Sequence, residues 1–142
     1  MITTTAEYAL RATVFLAACD SGTVSREEIS SATQVPMDYL VKVMKMLDQA
    51  GITKSQRGPG GGYRLAKSAE DLSVYDVVAA VSELPRIETC PLGIAEHINL
   101  CPLHARLDSV AALTESAFRE TPLSELVPRK GGKSNCSFPK SV

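Results

Sequence analysis

Tryptophan is absent from this 142-residue chain, and aromatic residues make up only 5% of it. Apolar content is nevertheless ordinary at 44%, which excludes wholesale disorder. No apolar run approaches the roughly twenty residues that a bilayer-spanning helix needs. The opening Met1-Ile2-Thr3-Thr4-Thr5 lacks the basic stretch and apolar core of a secretion signal. The expected setting is therefore cytoplasmic, with no membrane partner. In that compartment the four cysteines, Cys19, Cys90, Cys101 and Cys136, read as thiols or metal ligands rather than disulfides.

Net positive charge is also lacking: 15 basic residues face 16 acidic ones, for a formal charge of −1. The distribution is uneven. Between Lys42 and Lys67 stand six cations (Lys42, Lys45, Lys54, Arg57, Arg64 and Lys67) and a single anion, Asp48. From Ser68 to Pro128 there are ten acidic residues and three basic ones. One concentrated basic patch is what a protein gripping phosphates requires, with the acidic part held away.

What is present reads as a helical protein with a small β-element. Thr4 with Glu7 suggests a capping box opening a helix to about Ala18, with Ala6, Leu10, Val14 and Ala17 on one face. Ser25 with Glu28 opens a short second helix. Pro36 suits the first position of a third, whose buried stripe is Leu40, Val43, Met44 and Leu47, closed by Gly51. Two helices joined by a tight break form a helix-turn-helix. Ile52–Arg57 and Tyr63–Lys67 then read as strands joined by a glycine-rich turn, which makes a wing. Ser73 with Asp76 caps a fourth helix, from Val74 to about Ser82. Leu84 to Pro102 reads as a long loop. From Leu103 the helical period returns through Leu107, Val110, Ala111, Leu113, Ala117 and Phe118, a stripe wide enough to pack on a second copy of the chain. Thr121-Pro122 starts a last short helix with Leu123 and Leu126.

The expected class is mainly α with a small β-wing: a winged helix-turn-helix domain plus a long C-terminal dimerisation helix. Residues 1–83 form the DNA-binding domain (wing 52–67), 84–102 a Cys/His sensor loop, 103–128 the dimerisation helix and short terminal helix, and 129–142 a disordered basic tail.

If the apolar stripe of the third helix faces inward, Asp38, Tyr39, Val41, Lys42 and Lys45 face outward. A helix of this kind fits the major groove of DNA. Tyr39, Lys42 and Lys45 suit phosphates, and Lys42 can also reach a guanine. Lys54, Arg57 and Arg64 make the wing cationic. Arg57 suits a narrow minor groove, where Gly60 and Gly61 remove side chains that would clash. A nucleotide-binding phosphate loop is excluded, because no Lys-Ser or Lys-Thr follows the glycines and a strand comes next. Cys90, His97, Cys101 and His104 gather soft ligands for iron or zinc in and just after one loop. A Cys101 nucleophile is disfavoured, since no glycine-rich oxyanion turn accompanies it; the chain reads as a non-enzyme. Cys19 reads as a core residue and Cys136 as an exposed thiol in the tail.

Tyr8-Ala9-Leu10-Arg11-Ala12, Val35-Pro36-Met37-Asp38-Tyr39-Leu40, Gly51-Ile52 and Arg57-Gly58-Pro59-Gly60-Gly61-Gly62-Tyr63 closely resemble the IscR/NsrR (Rrf-two) family of bacterial winged-helix regulators. Cys101-Pro102-Leu103-His104 and Leu123-Ser124-Glu125-Leu126 extend the resemblance almost to Pro128. It implies a homodimer on an imperfect palindrome in double-stranded DNA, often acting as a repressor, with half-sites roughly 34 Å apart. Val41 stands where the iron–sulfur assembly regulator has a glutamate that discriminates between operators, so that specificity does not carry over.

The resemblance also implies a sensor. In cluster-bearing relatives the loop supplies three cysteines. Cys90 and Cys101 match the first and third, and Ala95 stands near the middle one. His97, His104, or Glu7 from the partner subunit can fill the gap in a [2Fe–2S] cluster sensing redox, nitric oxide or iron status. A mononuclear iron or zinc site on Cys90, His97, Cys101 and His104 is a second arrangement. The alternative is a cluster-free regulator of the same fold that responds to a small molecule, thiol oxidation or a partner protein.

Overall fold

The first helix, α1 (Thr4–Ala18), is capped by Thr3 rather than Thr4. Thr3 is extended, its Oγ1 accepts the Ala6 N–H at 3.2 Å, and its carbonyl accepts the Glu7 N–H at 2.9 Å. The expected Thr4–Glu7 box does not form, and the Glu7 carboxylate pairs with Arg11 one turn on. The buried set of α1 is also broader than the single face expected. Ala6, Ala9, Ala12, Thr13, Val14 and Leu16 are buried, and Leu10 and Ala17 only half so. The helix packs against α2 (Arg26–Thr33), α3 (Met37–Gln49) and α4 (Val74–Val81), so it needs small residues on several sides. The computed structural model describes residues 2–19, 22–89 and 100–128. The expectations for Cys90, Ala95, His97, Cys136 and the 129–142 tail concern residues outside that description.

Ser25 caps α2, accepting the Glu28 N–H at 3.2 Å. Gln34, at φ +56°, turns the chain out of α2 toward α3. Pro36 is the N-cap of α3, so the helix begins at Met37, one residue later than expected, and the Pro36 carbonyl accepts the Leu40 N–H. Leu40, Val43, Met44 and Leu47 are buried, as their spacing predicts. Ser73 and Asp76 form a reciprocal capping box on α4.

Strands β1 (Thr53–Gln56) and β2 (Gly62–Leu65) pair antiparallel, with Thr53 opposite Leu65 and Gln56 opposite Gly62. Both are shorter than the sequence suggested. An isolated bridge between Val24 and Tyr63 widens the base of the wing.

The last helix, α5 (Pro102–Glu120), starts one residue before the expected Leu103 and contains no buried residue. Leu103, Leu107, Val110 and Leu113 lie exposed along it. Arg86 holds Asp108 of α5 through two hydrogen bonds of 2.7 Å, and the Ile87 N–H adds a third at 2.9 Å. After α5 a 3-10 turn, Leu123–Leu126, returns to the N-terminal helices. Leu123 is fully buried among the same core residues as Ala9, Val77 and Leu72, and its N–H donates to the Leu72 carbonyl. The core is aliphatic, and the partly buried rings of Tyr8, Phe15, Tyr63 and Phe118 pack around it. No described helix is long and apolar enough to cross a membrane.

Candidate nucleic-acid interface and sensor pair

The buried stripe of α3 fixes what its other side presents. Asp38, Tyr39, Val41, Lys42 and Lys45 are all exposed; Tyr39 is 54% and Val41 41% accessible. A tyrosine and a valine this exposed, next to two lysines, form a surface that no part of the described chain covers. The Lys42 ammonium lies 5.8 Å from the Tyr39 ring centre. The Tyr39 ring in turn meets Tyr8 of α1 edge to face. Tyr8 also carries the Arg11 guanidinium over its ring at 5.9 Å. These contacts restrict the rotamers of two residues aimed at solvent, which lowers the ordering cost of binding there.

The wing stands beside α3. Alternation along β1 and β2 turns Thr53, Tyr63 and Leu65 toward the core and leaves Lys54 and Arg64 exposed. Lys54 and Arg64 are direct cross-strand partners. Two cations facing each other on one sheet face repel. An anion lying across them relieves that repulsion, and a phosphate suits the place. Among the described residues none of the ion pairs involves Lys42, Lys45, Lys54, Arg57, Arg64 or Lys67. Among the described residues, then, no ion pair neutralises the basic segment.

The glycines of the turn have an internal reason that the sequence did not disclose. A Cβ on Gly61 would lie 2.4 Å from the Gln56 carbonyl oxygen, and one on Gly62 would lie 2.3 Å from that of Val24. Gly60 lends its carbonyl to the Thr23 hydroxyl at 2.7 Å. Val24 and Tyr63 exchange two backbone hydrogen bonds of 2.9 and 2.8 Å. The hairpin's own backbone therefore demands glycine at 61, and close packing of the wing on the α1–α2 connection demands it at 62, with or without DNA. Arg57 is exposed just before the turn and lines a cleft with Ser25, Arg26, Gln56 and Gly58.

A second cluster lies at the start of α5. Cys101 is its N-cap and Pro102 its first residue. The Cys101 Sγ and the His104 Nδ1 are 2.9 Å apart, both side chains half-buried. The i, i+3 spacing brings the two soft donors together as expected. Glu7 is exposed on α1 and engages Arg11. Among the described residues no group of three or more possible metal ligands converges. Cys101 and His104 fit a metal as two donors, fewer than a complete set among the described residues. Cys19, the C-cap of α1, packs against the core.

A family model, Rrf2, described as an iron-dependent transcriptional regulator, matches residues 2–129. The chain belongs to the Rrf2 family. Its relatives include a protein of Haemophilus influenzae named as an HTH-type transcriptional regulator, 32% identical over 139 residues, covering 93% of this chain and 89% of the relative. The HTH-type transcriptional regulator IscR of Cereibacter sphaeroides is 40% identical over 85 residues, covering 58% of this chain and 55% of its own. The solved structure of CymR, the global cysteine regulator of B. subtilis, shares the fold with a TM-score of 0.74 at 23% identity, over 89% of this chain and 95% of that one. Rrf2 proteins are transcriptional regulators rather than enzymes, and this chain has their winged-helix fold.

Two supports of this surface escaped sequence reasoning. Tyr8 braces α3 and Thr23 braces the wing from the α1 side, and nothing in their sequence spacing signals it. Asp48 is a different matter: it was visible as the lone anion of the basic stretch.

Proposed function

We propose that this Rrf2 protein binds double-stranded DNA as a homodimer, places α3 in the major groove and the wing in the adjacent minor groove, and represses transcription. The observation that carries this reading is the exposed row Tyr39, Lys42 and Lys45 beside the cross-strand cations Lys54 and Arg64. Asp38 and Val41 lie at the base-reading end of the row. Arg57 reaches into the minor groove, with Gly60 and Gly61 allowing close approach of the backbone. The exposed apolar stripe of α5 supports dimerisation, which places two such surfaces on an imperfect palindrome. The protein acts in the cytoplasm.

DNA binding is governed by a metal centre, in keeping with the iron-dependent description of the family. Cys101 and His104 supply two ligands, and Cys90, His97 or the partner subunit's Glu7 complete a [2Fe–2S] cluster or a mononuclear iron or zinc site. A bound iron group would supply a redox- or nitric-oxide-sensitive charge at the start of α5, and a zinc ion a fixed one. Cys101 and His104 give up their mutual hydrogen bond to hold it. The cluster-free reading is favoured by that same hydrogen bond, because a thiol already paired with an imidazole can respond to oxidation without metal.

One experiment tests both parts. Protein purified anaerobically is assayed for iron, sulfide and visible absorbance, then used to enrich duplexes from a random-sequence library. Iron-loaded, coloured protein that enriches a palindrome, and loses colour in Cys101→Ser and His104→Ala, supports the metal-controlled reading. Colourless protein that enriches the palindrome equally well leaves the cluster-free regulator. Failure to enrich any duplex in either state overturns the DNA reading.

A further inference from the structure

We infer that Asp48 is a positioning residue for DNA recognition, holding the wing at a fixed angle to α3. The inference rests on the DNA-binding reading above. Asp48 is the single anion among six cations between residues 42 and 67, so on charge alone it weakens attraction to phosphate. It is exposed on the last turn of α3, and none of the ion pairs among the described residues involves it. Both carboxylate oxygens turn to the wing instead. Oδ1 accepts the Ser55 backbone N–H at 3.0 Å, and Oδ2 accepts the Ser55 hydroxyl at 3.2 Å.

The position of Ser55 gives this contact its leverage. The root of the wing is secured without Asp48: the Ile52 N–H donates to Leu47, the Ala66 N–H donates to Ile52, and Thr53 is buried. Beyond Thr53 the rest of β1 (Lys54, Ser55 and Gln56) is exposed. Among the described residues the two Asp48–Ser55 bonds are the only hydrogen bonds from α3 to this outer part. β2 is anchored from the opposite side by the Val24–Tyr63 pair and the Thr23–Gly60 bond. Without Asp48 the hairpin is held on one flank only and can swing away from the helix whose groove contacts it must match.

The two effects of Asp48 have opposite signs and separate by substitution. The full-length protein is titrated with a duplex that the wild type enriches from a random library, and with an unrelated duplex of equal length. Asp48→Asn keeps an oxygen acceptor for the Ser55 N–H but removes the charge; Asp48→Ala removes both. Both variants should bind the unrelated duplex more tightly than the wild type. Only Asp48→Ala should lower the preference for the selected duplex, by about tenfold, with Asp48→Asn staying within about twofold. Hydroxyl-radical protection in the minor groove should weaken in Asp48→Ala, while guanine N7 protection in the major groove persists. Ser55→Ala should cost less, and adding it to Asp48→Ala should cost nothing more; this milder change also serves if Asp48→Ala fails to fold. A wild type that enriches a duplex, with Asp48→Ala or Ser55→Ala matching it in preference and footprint, overturns this inference alone. A wild type that enriches none overturns the DNA reading and this inference with it.

Discussion

The rings of Tyr8 and Tyr39 meet edge to face, their centroids 5.9 Å apart and their planes inclined at 67°. Tyr8 belongs to α1 and Tyr39 to the exposed row of α3. The first helix of the fold therefore buttresses a residue at the candidate interface. Aromatic pairs of this geometry contribute about 0.5–1.5 kcal/mol beyond the area they bury. A double-mutant cycle with Tyr8→Leu and Tyr39→Leu, followed by urea unfolding, should show a coupling of that size. Strictly additive losses would mean that the rings are neighbours without energetic consequence.

Gly62→Ala should destabilise the protein by about 1–3 kcal/mol, as overpacking against a fixed backbone does. The new methyl would stand 2.3 Å from the Val24 carbonyl oxygen. Gly58→Ala, at φ +93° but with open space around the Cβ position, carries backbone strain alone and should cost less. Thermal unfolding ranks the two variants. Faster amide exchange at Val24 and Tyr63 in Gly62→Ala would locate the damage.

The Arg86–Asp108 clamp should open in acid. The Arg86 guanidinium, aided by the Ile87 N–H, holds the Asp108 carboxyl down from its ordinary 3.8 to about 2. A depressed carboxylate contributes its stability fully above the ordinary value and loses it as pH falls toward the depressed one. The clamp is therefore intact above about pH 4 and fades toward pH 2. Carbonyl NMR of Asp108 follows the titration directly. Arg86→Ala should return the midpoint toward the ordinary carboxylate range, and an unmoved midpoint would refute the assigned cause.

Charge on the α5 stripe should dissociate the proposed dimer. Leu113 is 70% and Leu107 48% exposed in the single chain, so Leu107→Glu with Leu113→Glu removes little intrachain packing. Burying two unpaired carboxylates in a subunit interface is costly. Sedimentation should show the dimer constant raised by at least about a hundredfold, with the monomer still folded. A wild type that sediments as a monomer at all concentrations would remove α5 as the pairing face.

The helix-turn-helix and the wing were legible because their signals are local. The Ser25 and Ser73 caps, the Leu40–Val43–Met44–Leu47 stripe and the glycine turn each involve residues close in sequence. Thr3 displaced Thr4 as the cap of α1 because adjacent threonines offer equivalent oxygens and packing of the helix chose between them. The burial of Ala9, Ala12 and Leu16 was missed because a helix enclosed by several neighbours has no single apolar face to show as a period. The site divided in the same way. Exposure of Asp38, Tyr39, Val41, Lys42 and Lys45 follows from helical geometry and was read directly. The Cys101–His104 contact follows from i, i+3 spacing. Links between distant segments, such as Tyr8 with Tyr39, Thr23 with Gly60, and Arg86 with Asp108, leave no periodic trace.

Leu123 belongs to the closing turn, yet it plugs the space beneath Leu72 that the first four helices leave open. A fragment stopping at Glu120 would forfeit that plug, leave a leucine-sized void, and orphan the Leu72 and Ala69 carbonyls that Leu123 and Ser124 now satisfy. Fragments trimmed to the proposed DNA-reading half would therefore be poor proxies for the intact molecule. A protease cutting after α5 would unseat the whole head rather than shave off an ornament.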